Sequence, residues 1–324
     1  MTIQEIVHQF ASKKILVVGD LMLDRYLFGD VDRISPEAPI PIVLEKDRKA
    51  VPGGAANAAA TIAALGANCE LFGIVGTDTS GTELHSILEK NRIICNGILT
   101  TNRPTTEKMR VMGNHQQIVR IDREETAPIS DHDQKQLLSI ITERALSADG
   151  LIICDYAKGV ISESLIDQLR ELARQHSIPI LADVRPEHGA WYHDLTFITP
   201  NKKELSGLVD AKIAHKDDVT RVGPTYANQL QTNLLVTLSE EGLMTVDKAN
   251  GAMHHFPALA QEVVDVSGAG DTVIATATLA LASHATIDQA AEIANYAASV
   301  VVAKLGTATL TTEELLASLP RSDA

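Results

Sequence analysis

The stretch Asp265-Val266-Ser267-Gly268-Ala269-Gly270-Asp271 sets side-chain-poor backbone just before a carboxylate, where an extended run gives way to an Ala-rich helix. Gly268 and Gly270 free the chain to take unusual dihedrals and to approach a ligand closely, and Ala269 adds only a methyl group. The N–H groups of a helix's first turn have no partner within it, and the macrodipole there favours an anion. Such a junction can seat a phosphate on backbone amides while Asp271 takes a proton from an attacking hydroxyl, which is the chemistry of phosphoryl transfer. A tight turn followed by an acidic first-turn residue leaves the same trace, so these residues alone keep both readings open.

A second glycine pair, in Pro52-Gly53-Gly54-Ala55-Ala56-Asn57, opens a small-residue helix expected over 55–65. Its lack of bulk lets a polyhydroxylated ligand lie against the helix end, and Asn57 can both donate and accept hydrogen bonds. Upstream, Lys14 to Asp20 reads as a buried strand ending in a carboxylate, with Asp24 four residues on. Two acids near strand ends suit sugar hydroxyls, which need acceptors. The glycine pair also fits a turn or a helix-packing feature, and Asp20 a loop cap.

These residues need a frame. Strands are expected at 14–18, 70–75, 150–154, 179–182, 195–199 and 234–238, with another extended run over 255–266 leading into the glycine junction. Helices are expected at 55–65, 82–91, 131–146, 163–176, 272–282, 288–302 and 312–318. The alternation points to one α/β domain, 1–324, with a mainly parallel sheet. Segments 26–49 and 105–124 alternate polar and apolar residues and fit that scheme poorly; they read as strands of a separate lid. A lid suits the chemistry, because transfer to water competes with transfer to a sugar.

The two glycine motifs, in this order and at this spacing, resemble the paired signatures of the ribokinase-like, or PfkB, carbohydrate kinases, and the resemblance spans nearly the whole chain. A narrower resemblance, to the subgroup that phosphorylates heptose 7-phosphate at C1, rests on four further stretches. They are Gly19-Asp20-Leu21-Met22-Leu23-Asp24-Arg25-Tyr26, Arg33-Ile34-Ser35-Pro36-Glu37-Ala38-Pro39, Gln116-Gln117-Ile118-Val119-Arg120-Ile121-Asp122 and Asp155-Tyr156-Ala157-Lys158-Gly159. The family implies a three-layer α/β/α sandwich with a small β-sheet lid, often packed on a second subunit, and ATP and Mg2+ as cofactors. It implies Asp271 as base, Gly268, Ala269 and Gly270 as anion hole, and sugar contacts from Asp20, Asp24, Gly53, Gly54 and Asn57.

On the nucleotide side, Asn201-Lys202-Lys203-Glu204 matches the family's Asn-x-x-Glu, with Glu204 expected to reach Mg2+ through water. The same pair also fits a helix capping box. Asn295 is expected near adenine, and Asp265, Ser267 and Gly306 around a monovalent cation such as K+. Where many members carry Thr-x-Gly, this chain reads Thr237-Leu238-Ser239-Glu240-Glu241-Gly242, leaving Ser239 and Gly242 as the nucleotide contacts. Asp183-Val184-Arg185-Pro186 departs from the usual Asp-Pro-Lys or Asp-Pro-Arg but keeps both charges.

An acceptor phosphate needs local cations, because the chain carries 28 Lys plus Arg against 42 Asp plus Glu, a formal charge of −14. Lys108, Arg110, Arg120 and Lys158 are the candidates, the arginines offering bidentate geometry; each alone also fits solvated strand charge. The acidic balance argues against a nucleic-acid partner. No signal peptide or membrane-length apolar run is seen, so a cytoplasmic location is expected. Cys69, Cys95 and Cys154 suggest neither a disulfide framework nor a zinc site, and His254-His255 reads as a strand pair. Another sugar kinase of this fold and a non-catalytic sugar-binding regulator stay open as alternatives. A dinucleotide-dependent dehydrogenase would need a Gly-x-Gly-x-x-Gly turn that Gly19-Asp20-Leu21-Met22 lacks. No His-x-Gly-His occurs, so a following adenylylation is expected from a separate protein.

Overall fold

Apolar runs without a polar face belong in a sheet covered on both sides, and the runs beginning at Lys14, Glu70 and Gly150 are found side by side in one. The computed structural model describes residues 1–320 apart from His115 and Gln261. The described strands are β1 (Lys14–Gly19), β2 (Leu21–Ile34), β3 (Pro41–Gly54), β4 (Asn68–Gly76), β5 (Ile94–Thr101), β6 (Thr106–Gly113) and β7 (Gln116–Arg123). They continue as β8 (Gly150–Cys154), β9 (Ile180–Asp183), β10 (Phe197–Ile198), β11 (Asn233–Thr237), β12 (Leu243–Val246) and β13 (Met253–Phe256). The main sheet has nine strands in the order β13-β12-β11-β10-β9-β8-β1-β4-β5, parallel except at the β12 and β13 edge.

Successive residues of β1 face opposite sides. Ile15 and Val17 join the core beneath the helices Ala55–Ala64, Ala269–Ala282 and Ile287–Val301. Leu16 and Val18 join the core beneath Asp131–Ala145, Glu163–His176 and Lys216–Leu230. The result is the three-layer α/β/α sandwich expected from the sequence. A second sheet, β3-β2-β6-β7, carries the segments 26–49 and 105–124 and forms the lid. Its first two strands begin and end closer to the core than expected: β2 starts two residues after Gly19, and β3 runs into Gly54.

Two expectations need correction, and one long helix was not expected. Only Met253–Phe256 of the region around 255–266 is strand, because Pro257 lacks the N–H a ladder needs and Val263, Val264 and Val266 stand exposed with no sheet to cover them. The helix after it starts at Ala269, not 272, since Gly268 takes a left-handed φ of 80° and serves as its N-cap. The helix Lys216–Leu230 was not among the expected elements; it contains Gly223 and Pro224, the two residue types least suited to a helix interior. No helix among the described residues is long and apolar enough to cross a membrane. Cys69, Cys95 and Cys154 are free and buried, and His254 and His255 lie in β13.

Candidate active site

Asp20 and Tyr156 follow the carboxyl ends of the neighbouring parallel strands β1 and β8, the side on which an open α/β sheet usually binds its ligand. Asp271 stands there in the first turn of the Ala269–Ala282 helix, 8% exposed. Asn57 Nδ2 donates to its Oδ2 at 2.7 Å, and the Tyr156 hydroxyl donates to its Oδ1 at 2.7 Å. Burial pushes the carboxyl up to about 6, against the pull of these two donors. The group is therefore ionised near neutrality yet basic enough to take a proton.

Gly268 and Gly270, alike in sequence, differ in role. A Cβ on Gly268 would sit 2.8 Å from Asn57 Nδ2, and the φ of 80° already disfavours a side chain. A Cβ on Gly270 would meet nothing within 4 Å, so its backbone faces open space. The Ala269 N–H, expected in the anion hole, reaches back to the Val266 carbonyl at 3.3 Å. Among the described residues no acceptor engages the N–H groups of Gly270 and Asp271, as is usual in a helix's first turn.

Asp20, expected at the sugar, also has a structural task. It is 1% exposed, and its carboxylate accepts from the N–H groups of Tyr156 (2.8 Å), Lys158 (3.0 Å) and Val160 (3.1 Å), tying down the turn after β8. Asp24 is buried and ion-paired with Arg110 at 2.8 Å. Gly53 and Gly54 are packed against β2: a Cβ on Gly53 would lie 2.8 Å from Asp24 Oδ2, and one on Gly54 2.7 Å from the Asp20 carbonyl. They are glycines so that β3 can close on β2 beside Asp24. Asn57, expected at the sugar, spends its amide on Asp271.

The four candidate cations meet at the lid. Arg110 of β6 lies directly opposite Arg120 of β7, and Lys108 opposite Asp122. Lys108 reaches Asp122 (3.1 Å) and Glu124 (3.0 Å), while Lys158 comes from the core side to the same Glu124 at 2.9 Å. Arg120 lies on Asp122 at 2.9 Å, and Arg110 stacks over the Tyr26 ring with 5.3 Å to its centroid. Each of the two opposed arginines is paired with a carboxylate, Arg110 with Asp24 and Arg120 with Asp122.

On the nucleotide side, Asn201 and Glu204 form a complete capping box, with bonds of 2.9 Å each way. Glu204 also pairs with Arg185 at 2.7 Å. Ser239 and Gly242 shape the turn from β11 to β12; both have positive φ, and a Cβ on Gly242 would strike the Phe256 carbonyl. Asn295 is buried and donates to the Pro257 carbonyl at 2.8 Å, holding the segment that leads to the glycine junction. Asp265 accepts from the N–H groups of Ser267 (2.9 Å) and Gly306 (3.0 Å), which brings the three expected cation-site residues together. Burial works to raise the Asp265 carboxyl, but those amides hold it below its ordinary value.

Sequence reasoning gave no role to Tyr156 or to Arg185, whose guanidinium lies 4.7 Å above the Tyr156 ring centroid. The Asp155-Tyr156-Ala157-Lys158-Gly159 stretch was singled out as a motif, but only the fold shows that its tyrosine crosses to Asp271. Asp155 is a buried anchor for the Tyr192 hydroxyl (2.5 Å) and His188 Nδ1 (2.6 Å).

The model of the family described as "pfkB family carbohydrate kinase" matches residues 12–314. The chain is 39% identical over 308 residues to the bifunctional protein HldE of Haemophilus influenzae strain PittEE, covering 95% of this chain and 63% of that protein. It is 41% identical over 312 residues to the protein of the same name from Caulobacter vibrioides, covering 95% and 64%. The chain thus spans a little under two thirds of the length of these relatives. Among solved structures, phosphofructokinase-2 from Escherichia coli in complex with substrates and products superposes with a TM-score of 0.77 at 20% identity, covering 94% of this chain and 97% of that one. Arabidopsis thaliana ribokinase complexed with ribose and ATP superposes with a TM-score of 0.75 at 20% identity, covering 96% and 99%. A match that runs from before the first strand of the sheet to the last described helix takes in both glycine motifs and the lid, and the chain belongs to the pfkB family of carbohydrate kinases.

Proposed function

We propose that this chain phosphorylates the C1 hydroxyl of D-glycero-β-D-manno-heptose 7-phosphate with ATP, giving the 1,7-bisphosphate and ADP in the route to the ADP-heptose of the lipopolysaccharide core. The observation that carries the reading is Asp271, buried at a helix N-terminus beside the open backbone of Gly270. The acceptor oxygen attacks the γ-phosphorus as its proton passes to Asp271; the new O–P bond forms as the bond to the ADP oxygen breaks. The N–H groups of Gly270 and Asp271 stabilise charge on the transferring group.

A phosphorylated acceptor is favoured by the lid, where Arg110, Arg120, Lys108 and Lys158 outnumber the carboxylates they share. An acceptor phosphate between Arg110 and Arg120 makes charge-assisted bonds to both guanidinium groups. Mg2+ neutralises phosphate charge when bound. Glu204 would reach it through water: its oxygens each hold one donor, from Arg185 and the Asn201 N–H, and keep a lone pair for a bound water. Beside Asp265, Ser267 and Gly306 a monovalent cation such as K+ would offset the Asp265 carboxylate.

The same reading pairs two copies through the lid, where Ile34, Ile40, Leu44, Ile118, Val119 and Ile121 stand exposed, and sets the enzyme in the cytoplasm with no nucleic-acid partner. The test is product analysis by phosphorus NMR with ATP and a panel of heptose 7-phosphates, unphosphorylated heptoses, fructose 6-phosphate and ribose. A new anomeric phosphate on the heptose 7-phosphate alone is the expected result. Preferential turnover of another acceptor would assign the chain to a different sugar kinase, and no turnover of any would favour a sugar-binding regulator.

A further inference from the structure

We infer that Tyr156 is a positioning residue for the phosphoryl-transfer base, fixing the orientation of the Asp271 carboxylate and stabilising its ionised form from the side opposite Asn57. The inference rests on the reading of Asp271 as base and adds a residue to it. Its grounds are geometric. The hydroxyl lies 2.7 Å from Asp271 Oδ1 while Asn57 holds Oδ2, so each carboxylate oxygen has one fixed donor and keeps a lone pair for the acceptor hydroxyl.

Tyr156 is itself held at both ends. Its backbone N–H donates to Asp20 at 2.8 Å, and the Arg185 guanidinium, paired with Glu204, lies 4.7 Å above its ring. Asp20 thereby acts on the site through the turn it anchors. A ring held in this way loses little entropy in presenting its hydroxyl, which is what preorganised positioning requires. Burial also keeps the phenol protonated, well above its ordinary range, so it remains a donor wherever the enzyme works.

The groups that face Asp271 are Asn57 from its neighbouring helix, Asp24 from the lid, Tyr156 and Cys154 from the β8 end, and Asp183 and Arg185 from the β9 end. Among them only Asn57 and Tyr156 donate a hydrogen bond to it. Loss of the Tyr156 donor therefore weakens the carboxylate form and moves the acid limb of turnover to higher pH.

Tyr156→Phe is the direct test, because it keeps the ring under Arg185 and removes only the hydroxyl. The acid limb of the kcat profile is expected to rise by about one unit, so that turnover falls roughly fivefold more near pH 6 than near pH 8.5, with the KM for ATP unchanged. A profile superimposable on the parent's, or an even loss at all pH values, would overturn the inference and leave Tyr156 a packing residue. A melting temperature measured alongside separates misfolding from loss of positioning. Asp271→Asn separates the two readings: an active Asp271→Asn defeats the base itself, whereas an inactive one with an unshifted Tyr156→Phe profile defeats only the positioning role.

Discussion

Asn57 and Asp271 lie 214 positions apart in the chain and meet through a hydrogen bond of 2.7 Å between the first turns of two helices. That bond joins the two glycine motifs. It also explains Gly268, whose missing side chain is the room Asn57 occupies.

Replacing the base gives the first prediction. Asp271→Asn keeps size and burial but cannot accept the proton, and kcat is expected to fall by about 10²–10⁴-fold, the usual contribution of a general base. The KM values for ATP and acceptor should change little. Steady-state kinetics with saturating substrates check this, and a kcat within a few-fold of the parent would remove Asp271 from the role.

Stability should move the other way. A carboxyl raised from 3.8 to about 6 in the folded state holds its proton more tightly than in the unfolded chain. Its stabilising contribution is therefore full below about pH 4 and is lost as pH rises through about 6. Above that range the buried charge costs stability on the order of a few kcal/mol. Asp271→Asn should thus melt higher than the parent at pH 8, with the advantage shrinking toward pH 4. Calorimetry across that range shows it, and a constant difference would contradict the linkage.

The two anion-site glycines should respond differently to alanine. Gly268→Ala introduces a Cβ against Asn57 at a φ of 80°, and a loss of at least ~1 kcal/mol of stability together with most activity is expected. Gly270→Ala has free space and sits in a helix, so stability should hold or rise by roughly 0.5–1 kcal/mol, while turnover falls because the methyl enters the space left for phosphate. Equal melting losses in both variants would contradict this division.

The lid cations offer a test of the acceptor phosphate. Arg120 is half exposed and pairs with Asp122, so Arg120→Gln should leave the melting temperature nearly unchanged and raise the acceptor KM by roughly tenfold or more. Arg110→Gln should raise it too, but at a stability cost, since Asp24 is left buried without its partner. An unchanged acceptor KM in both would move the phosphate elsewhere.

Much was legible in the sequence because local physics writes it there. The apolar runs at Lys14, Glu70 and Gly150 could only be central strands, and Glu163 to His176 only an amphipathic helix. The Asn201 and Glu204 spacing gave a capping box that formed as such. Two glycines before a carboxylate marked the junction at which a helix begins with freed backbone, and the structure has that junction at Gly268. The helix Lys216–Leu230 was hidden because Gly223 and Pro224 carry low propensity that tertiary packing overrides.

The sequence by itself determined the layered α/β frame, the segments of the lid and Asp271 as the residue to watch, because periodicity and spacing are properties of neighbours along the chain. Only the tertiary structure decided what surrounds each carboxylate: Asp20 accepts from three backbone amides, Asp24 pairs with Arg110, Glu204 with Arg185, and Asp271 lies between Asn57 and Tyr156. Charge alone does not distinguish four acids in a sequence. Burial and the donors brought to each by distant strands do, because a carboxylate's basicity and its remaining lone pairs depend on what folding places around it.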